Sequence, residues 1–273
     1  MAQYDVLMKA TVFLGGGRIT SALVAGLRLA KYKPPLVVYD RHPEKLRRLK
    51  REFKVSTEHD LARAVSQASL LIVAVRPQDV ANLLDDTANC DWAAGPRLVV
   101  SLAAGIPLQK LRSKGSSAAR WGRAMPSPVC RITRGLTAVT FEENVAMRQR
   151  KQVRDFFGHL GSVLEIPEAH FDAFTATFSP SHGYHALATL ARSAQVAGLD
   201  RKAALTAAAH AIAGGIFYWQ ESGQTLDELL REAATPGGTA AATMAAMNRA
   251  GYERVVAKGL WTGIKQARIN ARR

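Results

Sequence analysis

The sequence predicts a doubly wound α/β domain with a parallel sheet, followed by an all-α domain. Three observations predict this fold class. Short apolar runs alternate with helix-like segments in the first half of the chain, as is typical of parallel strands covered on both faces. A run of three glycines separates the first apolar run from the first helix-like segment. After about residue 165 the composition changes to alanine and other helix formers.

The elements of the first domain follow from this alternation. Unbroken apolar segments are the predicted strands, and they are Thr11–Leu14, Leu36–Tyr39, Leu70–Val75 and Leu98–Leu102. Helix-forming segments separate them, and they are Ile19–Ala30, Pro43–Phe53, Leu61–Ala68 and Asp79–Asp85. Because parallel strands need long crossover connections, the order favours repeated strand–helix–strand units.

The second domain is predicted from three helix-forming stretches. They are Ala169–Ala213, Leu226–Ala234 and Ala240–Lys265. Small residues at helical spacing let helices pack closely, which suits an oligomerisation module. We place the boundary near Ile166-Pro167, so that residues 1–166 form the α/β domain and residues 167–273 the helical domain.

Length and composition exclude several classes of protein. The chain has 273 residues, of which 48% are hydrophobic, as in an ordinary globular protein. No run of 18 apolar residues occurs, so we expect no membrane span, and Met1–Asp5 lacks the features of a secretory signal. Cys90 and Cys130 are too few for a disulfide scaffold, and no residue spacing indicates a metal site. We expect a cytoplasmic protein without a metal.

The net charge of +15 at first suggests a nucleic-acid partner. The densest basic clusters, Lys45–Lys54 and Arg148–Arg154, lie in helix-like stretches without interleaved aromatic residues. No nucleic-acid motif accompanies them, so we expect no nucleic-acid partner. The same charge suits anionic small molecules such as nucleotide phosphates and carboxylates.

The glycine run indicates a phosphate-binding loop. Gly15 permits a tight turn, and Gly17 lacks the side chain that would block a pyrophosphate from the helix N-terminus. Thr20 replaces the third glycine of the usual dinucleotide fingerprint. The position between a strand and a helix predicts a Rossmann-type domain. The residues of this loop expected to bind the cofactor are Gly15, Gly17, Arg18 and Ile19.

The end of the second predicted strand gives two signals about the cofactor. Asp40 lies where an acid would bind the ribose 2′-hydroxyl of NAD. Arg41 and His42 follow at once and could pair with the 2′-phosphate of NADP. Both interpretations remain open, and either NADP or NAD is expected.

Further along the chain, a series of segments matches the motifs of one family in order and spacing. These segments are Leu14–Leu27, Ala74–Gln78 (A-V-K-P-Q in the family), Val100–Ile106, Arg123–Pro126 (R-x-M-P), Glu168–Ala173, Ala197–Arg201, Glu221–Gly223 and Thr235–Thr239 (S-P-G-G-T-T). Over nearly its whole length the chain resembles pyrroline-5-carboxylate reductase, the last enzyme of proline synthesis.

The resemblance implies an NAD(P)H-dependent reductase of a cyclic imine, with NADPH slightly favoured by the habit of the family. It also implies a homodimer or higher homo-oligomer, held together by the helical domain. Further cofactor-binding residues implied are Asp40, Arg41, Ala74, Val75, Arg76, Pro77, Ala103 and Gly105. Substrate-binding residues implied are Met125, Pro126, His182, Gly237, Gly238 and Thr239. The catalytic residues implied are Ser179, Ser181, Tyr184 and Thr239.

The chain departs from the family pattern in the expected substrate site. The family's S-G-S-G-P-A-Y reads here as Ser179-Pro-Ser-His-Gly-Tyr-His185, and its M-P-N-T-P reads as Met125-Pro-Ser-Pro-Val129. The resemblance implies that the second threonine of S-P-G-G-T-T hydrogen-bonds the substrate nitrogen. This chain has Ala240 at that position. Either the substrate has changed, which His182, Tyr184 and His185 favour and for which either histidine could donate a proton, or the reductase chemistry is lost.

Two functions of different classes therefore stay open. One is a reductase with an altered imine substrate. The other is a catalytically inactive dinucleotide-binding paralogue with a regulatory or interaction role. Hydride transfer to a C=O group is disfavoured, because the related hydroxyacid dehydrogenases use a lysine and none occurs between Gln152 and Arg201.

Overall fold

The computed structural model describes residues 9–88, 90–92 and 98–272. By its contacts the chain divides into two units, one formed by Met1–Ala176 with Gly263–Arg273 and the other by Thr177–Thr262. The domain boundary near Ile166-Pro167 stays a prediction. The segment Met1–Asp5, where no secretory signal is expected, lies outside the described residues.

The first unit is built on an eight-stranded sheet, counted over the described residues, with the strand order β3-β2-β1-β4-β5-β6-β7-β8. The strands are β1 (Ala10–Leu14), β2 (Leu36–Tyr39), β3 (Ser56–Glu58), β4 (Ala68–Val73), β5 (Leu98–Ser101), β6 (Arg120–Met125), β7 (Gly135–Phe141) and β8 (Gly161–Glu165). Neighbouring strands from β3 to β6 are parallel, and β7 is antiparallel to β6 and parallel to β8. The sheet is therefore mostly parallel, with two reversed strands at one edge.

The helices of the first unit lie between these strands in the chain, except the last helix, which follows β8. They are α1 (Arg18–Leu29), α2 (Pro43–Phe53), α3 (Leu61–Ser66), α4 (Val80–Thr87), α5 (Leu108–Lys114), α6 (Met147–Gly158) and α7 (Phe171–Thr177). Short 3-10 turns cover Pro77–Asp79, Pro128–Ile132 and Glu168–His170. Local sequence sets several boundaries: Pro43 occupies the first turn of α2, and Asp60 caps α3 by accepting a hydrogen bond from the Arg63 N–H.

Helices cover both faces of the sheet, and a hydrophobic core lies on each side. Adjacent residues of β1 face opposite cores: Phe13 packs with Leu23 and Phe157, while Val12 packs on the other side with Trp121. All four side chains named on β1, β6 and α6 are fully buried. Burial on both faces explains why these strands are apolar without alternation.

In the second unit, all the regular elements of the described residues are helices. They are α8 (Ser181–Val196), α9 (Arg201–Ser222), α10 (Leu226–Ala233), α11 (Thr239–Arg249) and α12 (Tyr252–Arg272), the last of which continues into the first unit from Gly263. Asp200 caps α9 through the N–H groups of Lys202 and Ala203. Thr225 and Glu228 form a capping box at the start of α10.

The predicted fold class is confirmed, whereas several predicted elements need correction. The third predicted strand begins and ends two residues earlier than expected, at Ala68 and Val73. The preceding helix ends at Ser66, because Ala68 already belongs to that strand. Elements that the sequence pattern did not predict are β3, β6, β7, β8, α5 and α6.

Candidate functional site

The glycine run joins β1 to α1, and each glycine has its own reason. Gly15 has a φ of +116°, which favours glycine, and a Cβ there would lie 2.8 Å from the Ala74 carbonyl oxygen. Gly16 lies against Leu49 and Asp40. Gly17 has no atom within 4 Å of an added Cβ, so open space lies in front of it. The loop therefore fits a bulky group that approaches the N-terminus of α1.

The start of α1 has the polarity that an anion requires. Gly17 occupies the capping position without a side-chain cap, so the first N–H groups of a 12-residue helix are available to a ligand. Thr20 is buried, and its hydroxyl donates a hydrogen bond to the Gly15 carbonyl oxygen. This bond fixes the loop from the helix side, which gives the threonine a role beyond its small size.

Asp40 stabilises the glycine loop. Its Oδ2 accepts a hydrogen bond from the Gly16 N–H at 2.8 Å, and its Oδ1 accepts from the His42 N–H at 2.9 Å. His42 Nδ1 lies 2.8 Å from Oδ1, and Lys45 Nζ lies 3.3 Å from Oδ2. Only 7% of the carboxylate side chain is exposed. Both oxygens are therefore engaged by the protein itself.

These contacts also set the charge of Asp40. Burial by itself would raise the pKa of this carboxyl group. The hydrogen bonds from Gly16 and His42, together with the charge of Lys45, outweigh burial and hold the pKa of Asp40 below its ordinary value. The loop is consequently held by an ionised carboxylate at neutral pH.

Basic side chains flank this acid on its solvent side. Arg41 is 69% exposed and lies 3.7 Å from Asp79, while Lys45 is 37% exposed. Arg18, the first residue of α1, is exposed as well. The end of β2 and the start of α1 thus carry positive charge that solvent can reach.

The remaining predicted cofactor residues lie at the carboxyl ends of β4 and β5. The Ala74 N–H donates to the Leu14 carbonyl oxygen at 2.8 Å, which ties this segment to the glycine loop. Ala74 is buried, Val75 and Pro77 are partly buried, and Arg76 is exposed. Ala103 is buried, and Gly105 has a φ of +77°. Since β1, β2, β4 and β5 are parallel neighbours, all of these residues lie on the side of the sheet where the parallel strands have their carboxyl ends.

Met125 and Pro126 lie at the carboxyl end of β6, on the same side of the sheet. Met125 is partly buried and Pro126 is buried. Ser127 begins the following turn by accepting a hydrogen bond from the Val129 N–H at 3.3 Å. The predicted substrate residues of the first unit thus lie at the end of β6 and directly after it, and β6 pairs with β5, which precedes the Ala103 segment.

The other predicted substrate and catalytic residues belong to the second unit, at the starts of two helices. Ser179 and Ser181 have their hydroxyl oxygens 2.7 Å apart, and the His182 N–H donates to the Ser179 carbonyl oxygen. Tyr184, in the first turn of α8, is 66% exposed. The two serines and the tyrosine therefore lie within one short, accessible segment.

The segment Thr235–Thr239 forms a tight turn that leads into α11. The Gly238 N–H donates to the Thr235 carbonyl oxygen at 2.9 Å, and Gly237 has a φ of +78°. Helix α11 begins at Thr239, with Gly238 as a capping residue that offers no side chain. As the sequence pattern predicted, this is a helix N-terminus whose first N–H groups can receive a carboxylate. Ala240 lies in its first turn and is exposed.

The sequence pattern missed one buried charged residue on β6, two residues before Met125. Arg123 on β6 is 3% exposed and lies 3.0 Å from Glu168, in the 3-10 turn before α7. Both residues occur in the segments that resemble the family, but the pattern gives them no role. An arginine within a strand was the available signal, since charged residues are seldom fully buried without a partner.

Within the described residues, no group of three histidine, cysteine, aspartate or glutamate side chains could hold a metal ion. Among the helices described, none combines the length and apolar character needed to cross a membrane.

Comparison with known proteins identifies both parts of the chain. Residues 11–105 match the family described as "NADP oxidoreductase coenzyme F420-dependent", and residues 168–269 match "Pyrroline-5-carboxylate reductase dimerisation". The second match shows that the chain carries a dimerisation module.

Similar proteins carry one name. A pyrroline-5-carboxylate reductase of Mycobacterium tuberculosis (strain CDC 1551 / Oshkosh) is 31% identical over 273 residues, covering 91% of this chain and 92% of its own. That of Corynebacterium melassecola is 29% identical and covers 89% and 92%.

Solved structures agree in fold. A pyrroline-5-carboxylate reductase of Coxiella burnetii has a TM-score of 0.85 at 22% identity, covering 97% of this chain and 99% of its own. A pyrroline carboxylate reductase of Plasmodium falciparum with NADP bound has a TM-score of 0.84 at 20% identity, covering 96% and 98%. From the sequence relationship over nearly its whole length, this chain belongs to the pyrroline-5-carboxylate reductase family.

Proposed function

We propose that this protein is an NAD(P)H-dependent oxidoreductase that reduces the C=N bond of a small cyclic imine, with a substrate site altered from the family pattern. One observation carries the proposal. The glycine loop, Asp40 and the segments after β4 and β5 all lie at the carboxyl ends of the parallel strands, and open space lies in front of Gly17. A dinucleotide site of this form, in a member of this family, supports reduction by a nicotinamide cofactor.

The cofactor would be held mainly by backbone groups of the first unit. The N–H groups at the start of α1 face the pyrophosphate, and Gly17 gives it room. The segments containing Ala74 and Ala103 line the nicotinamide half at the carboxyl ends of their strands. When bound, the reduced nicotinamide supplies the hydride, and the protein supplies position and polarity.

NADPH is the preferred cofactor in this proposal. A free carboxylate at position 40 would favour NAD by binding the ribose 2′-hydroxyl. Here that carboxylate is engaged by Gly16 and His42, whereas Arg41 and Lys45 are accessible beside it. A 2′-phosphate would gain charge-assisted hydrogen bonds from these side chains.

The substrate would be held by the second unit. A carboxylate on the substrate would accept hydrogen bonds from the first N–H groups of α11, at Gly238 and Thr239. Ser179, Ser181 and Tyr184 supply hydroxyl groups at the start of α8. In the reaction the imine carbon gains the hydride and the nitrogen gains a proton, for which the Tyr184 hydroxyl is the proposed donor. Holding the imine carbon near the nicotinamide and excluding water completes the task.

Assembly and location follow the family module. We propose a homodimer whose helical units intertwine, with Thr235–Thr239 placed at a site shared by two subunits. Cys90 and Cys130 are both free thiols in the described structure, which suits the reducing cytoplasm.

A substrate screen tests the proposal. Oxidation of NADPH and of NADH would be followed with pyrroline-5-carboxylate, piperidine-2-carboxylate and an uncharged cyclic imine. We expect turnover of a carboxylated imine, faster with NADPH. Cofactor binding without turnover of any cyclic imine would instead select the inactive paralogue. Absence of dinucleotide binding would contradict both functions.

A further inference from the structure

An ion network centred on the buried Arg123 joins segments of the first unit that are far apart in the sequence. Arg123 on β6 places Nη1 3.0 Å from Glu168 Oε1 and Nη2 3.9 Å from Asp172 Oδ1. Its guanidinium group lies over the Phe171 ring, 4.4 Å from the centroid. Asp172 Oδ2 in turn lies 3.7 Å from Arg268 Nε, near the end of α12. All of these residues belong to the first unit.

The network holds one end of the loop that follows β5. Glu168 Oε1, the atom that contacts Arg123, also accepts a hydrogen bond from the Leu108 N–H at 2.6 Å. Leu108 is the first residue of α5, directly after the loop Leu102–Pro107. This loop contains Ala103 and Gly105 of the proposed nicotinamide side. Arg123 therefore acts on the loop through a single shared carboxylate.

The network also holds the helix that packs on the middle of the same loop. Ala267 precedes Arg268 and is 8% exposed. A Cβ on Gly105 would lie only 2.1 Å from the Ala267 carbonyl oxygen, so the α12 backbone contacts this glycine closely. Gly105 also has a φ of +77°, which favours glycine. The shape of the loop thus depends on where the end of α12 lies.

Stability alone does not explain the buried arginine. Within the described structure, Nε and Nη2 of Arg123 have no hydrogen-bond partner. A buried charge with unsatisfied donors is often no better for stability than an apolar side chain of similar size. Burial also lowers the pKa of Arg123, against the opposing effect of Glu168 and Asp172. A role in fixing geometry accounts for the residue better.

We infer that Arg123 is a positioning residue for the cofactor, and that the end of α12 is part of the same device. Through Glu168 and through Asp172 with Arg268, it holds the Ala103–Ile106 loop in the shape that receives the nicotinamide half of the dinucleotide. The inference rests on the proposed function. It predicts that damage to the network weakens contacts to the nicotinamide half and spares the adenosine half.

Calorimetric titration of the full-length protein tests this. Arg123→Gln and Arg268→Gln would each be titrated with NADPH and with adenosine 2′,5′-bisphosphate, which carries only the adenosine half. We expect the Kd for NADPH to rise about tenfold and the Kd for the fragment to stay within about twofold. Arg268 is 61% exposed, so its variant keeps the core intact if Arg123→Gln does not fold. Arg268→Lys, which keeps the charge, should retain most of the affinity.

The control is Arg131→Gln, which removes an exposed ion pair with Glu52 in the same unit and should bind both ligands normally. Hydrogen exchange gives a second measurement: amides of residues 102–112 should exchange faster in the network variants. Equal weakening of both ligands, or unchanged binding of both, would overturn the inference. Failure of the unaltered protein to bind NADPH or NADH would overturn the proposed function instead.

Discussion

At the scale of single residues, three adjacent glycines meet three different demands. Gly15 needs a positive φ, Gly16 needs room beside Leu49 and Asp40, and Gly17 leaves space that the protein does not use. Only the last therefore reports on a ligand. A side chain at Gly17 would face open space. A substitution there can therefore block a ligand without disturbing the fold.

We predict that Gly17→Val abolishes dinucleotide binding and leaves the fold intact. The added side chain meets no protein atom within 4 Å of its Cβ but occupies the path of the pyrophosphate. Calorimetric titration with NADPH measures the loss, and thermal unfolding checks the fold. Gly158→Val, at another glycine with open space around its Cβ, is the control and should bind normally. Unchanged affinity in Gly17→Val would contradict the cofactor assignment.

Arg41 separates the two cofactors. We expect Arg41→Gln to raise the Kd for NADPH about tenfold and to leave the Kd for NADH within about twofold, because only the former carries the 2′-phosphate. The difference should shrink at high salt, since Arg41 is 69% exposed and its charge is screened. Equal effects on NADPH and NADH would show that Arg41 does not read the phosphate.

Asp40 gives a prediction about pH. Its pKa is lowered in the folded protein from the ordinary value of 3.8, so the folded state favours the ionised form. The resulting stabilisation is present above that ordinary value and is lost as pH falls through the lowered pKa. The difference in unfolding free energy between the unaltered protein and Asp40→Asn should therefore reach its full size by about pH 6 and disappear in strong acid. Denaturant unfolding at several pH values measures it, and a difference independent of pH would refute it.

At the scale of elements, two of the three departures from the family pattern lie at helix starts of the second unit. The start of α11 keeps its geometry, because Gly237 has the required positive φ and Gly238 leaves the first N–H groups uncapped by a side chain. The change at Ala240 removes a hydroxyl group without altering the turn. Thr239 lies about 100° away around the helix axis, so it does not replace that hydroxyl directly.

We predict weak activity on pyrroline-5-carboxylate and a gain from Ala240→Thr. A missing hydrogen bond to a charged group costs about 1.5–3 kcal/mol, or roughly 10- to 150-fold in rate if it acts in the transition state. The variant should raise kcat/KM for this substrate about tenfold or more. Ala241→Thr, one residue further around the helix, is the matched control and should give no gain. Full activity of the unaltered protein would show that the hydroxyl is dispensable.

The sequence pattern predicted four strands whose residues are nearly all buried. The strands β1, β2, β4 and β5 are buried on both faces, so an unbroken apolar run marks each of them. Strand β6 escaped prediction because Arg120 and Arg123 interrupt its apolar pattern, although Arg123 is buried by distant partners. The site was predictable to a similar extent. The glycine loop is local, whereas the contacts of Asp40 with Gly16 and of Arg123 with Glu168 join residues far apart in sequence.

At the scale of the whole molecule, the second unit exposes many large apolar side chains. On α9 four consecutive large residues are between 45% and 59% exposed, namely Ile216, Phe217, Tyr218 and Trp219. A helix that is apolar all round is normally buried. Together with the dimerisation module at residues 168–269, this surface indicates that other copies of the chain cover it.

We predict a dimer or larger assembly at micromolar concentration, and its disruption by Phe217→Glu. A charge at a side chain that is 56% exposed in one chain would be buried at the subunit contact, where an unpaired charge is strongly unfavourable. Sedimentation velocity measures both species. Arg201→Glu, at the exposed start of the same helix, is the control for a change of charge alone. A monomeric unaltered protein would rule out the proposed assembly.

The return of residues 263–272 to the first unit sets an order of events during synthesis. Ile264 and Ala267 are buried in a unit whose strands all precede α7 in the chain. The ribosome therefore releases the whole sheet before the residues that pack against Gly105 exist. During synthesis the loop Leu102–Pro107 of the first unit stays uncovered until the second unit has been translated. A translational pause between Thr177 and Thr262 would lengthen that wait and expose the growing chain to chaperones and proteases.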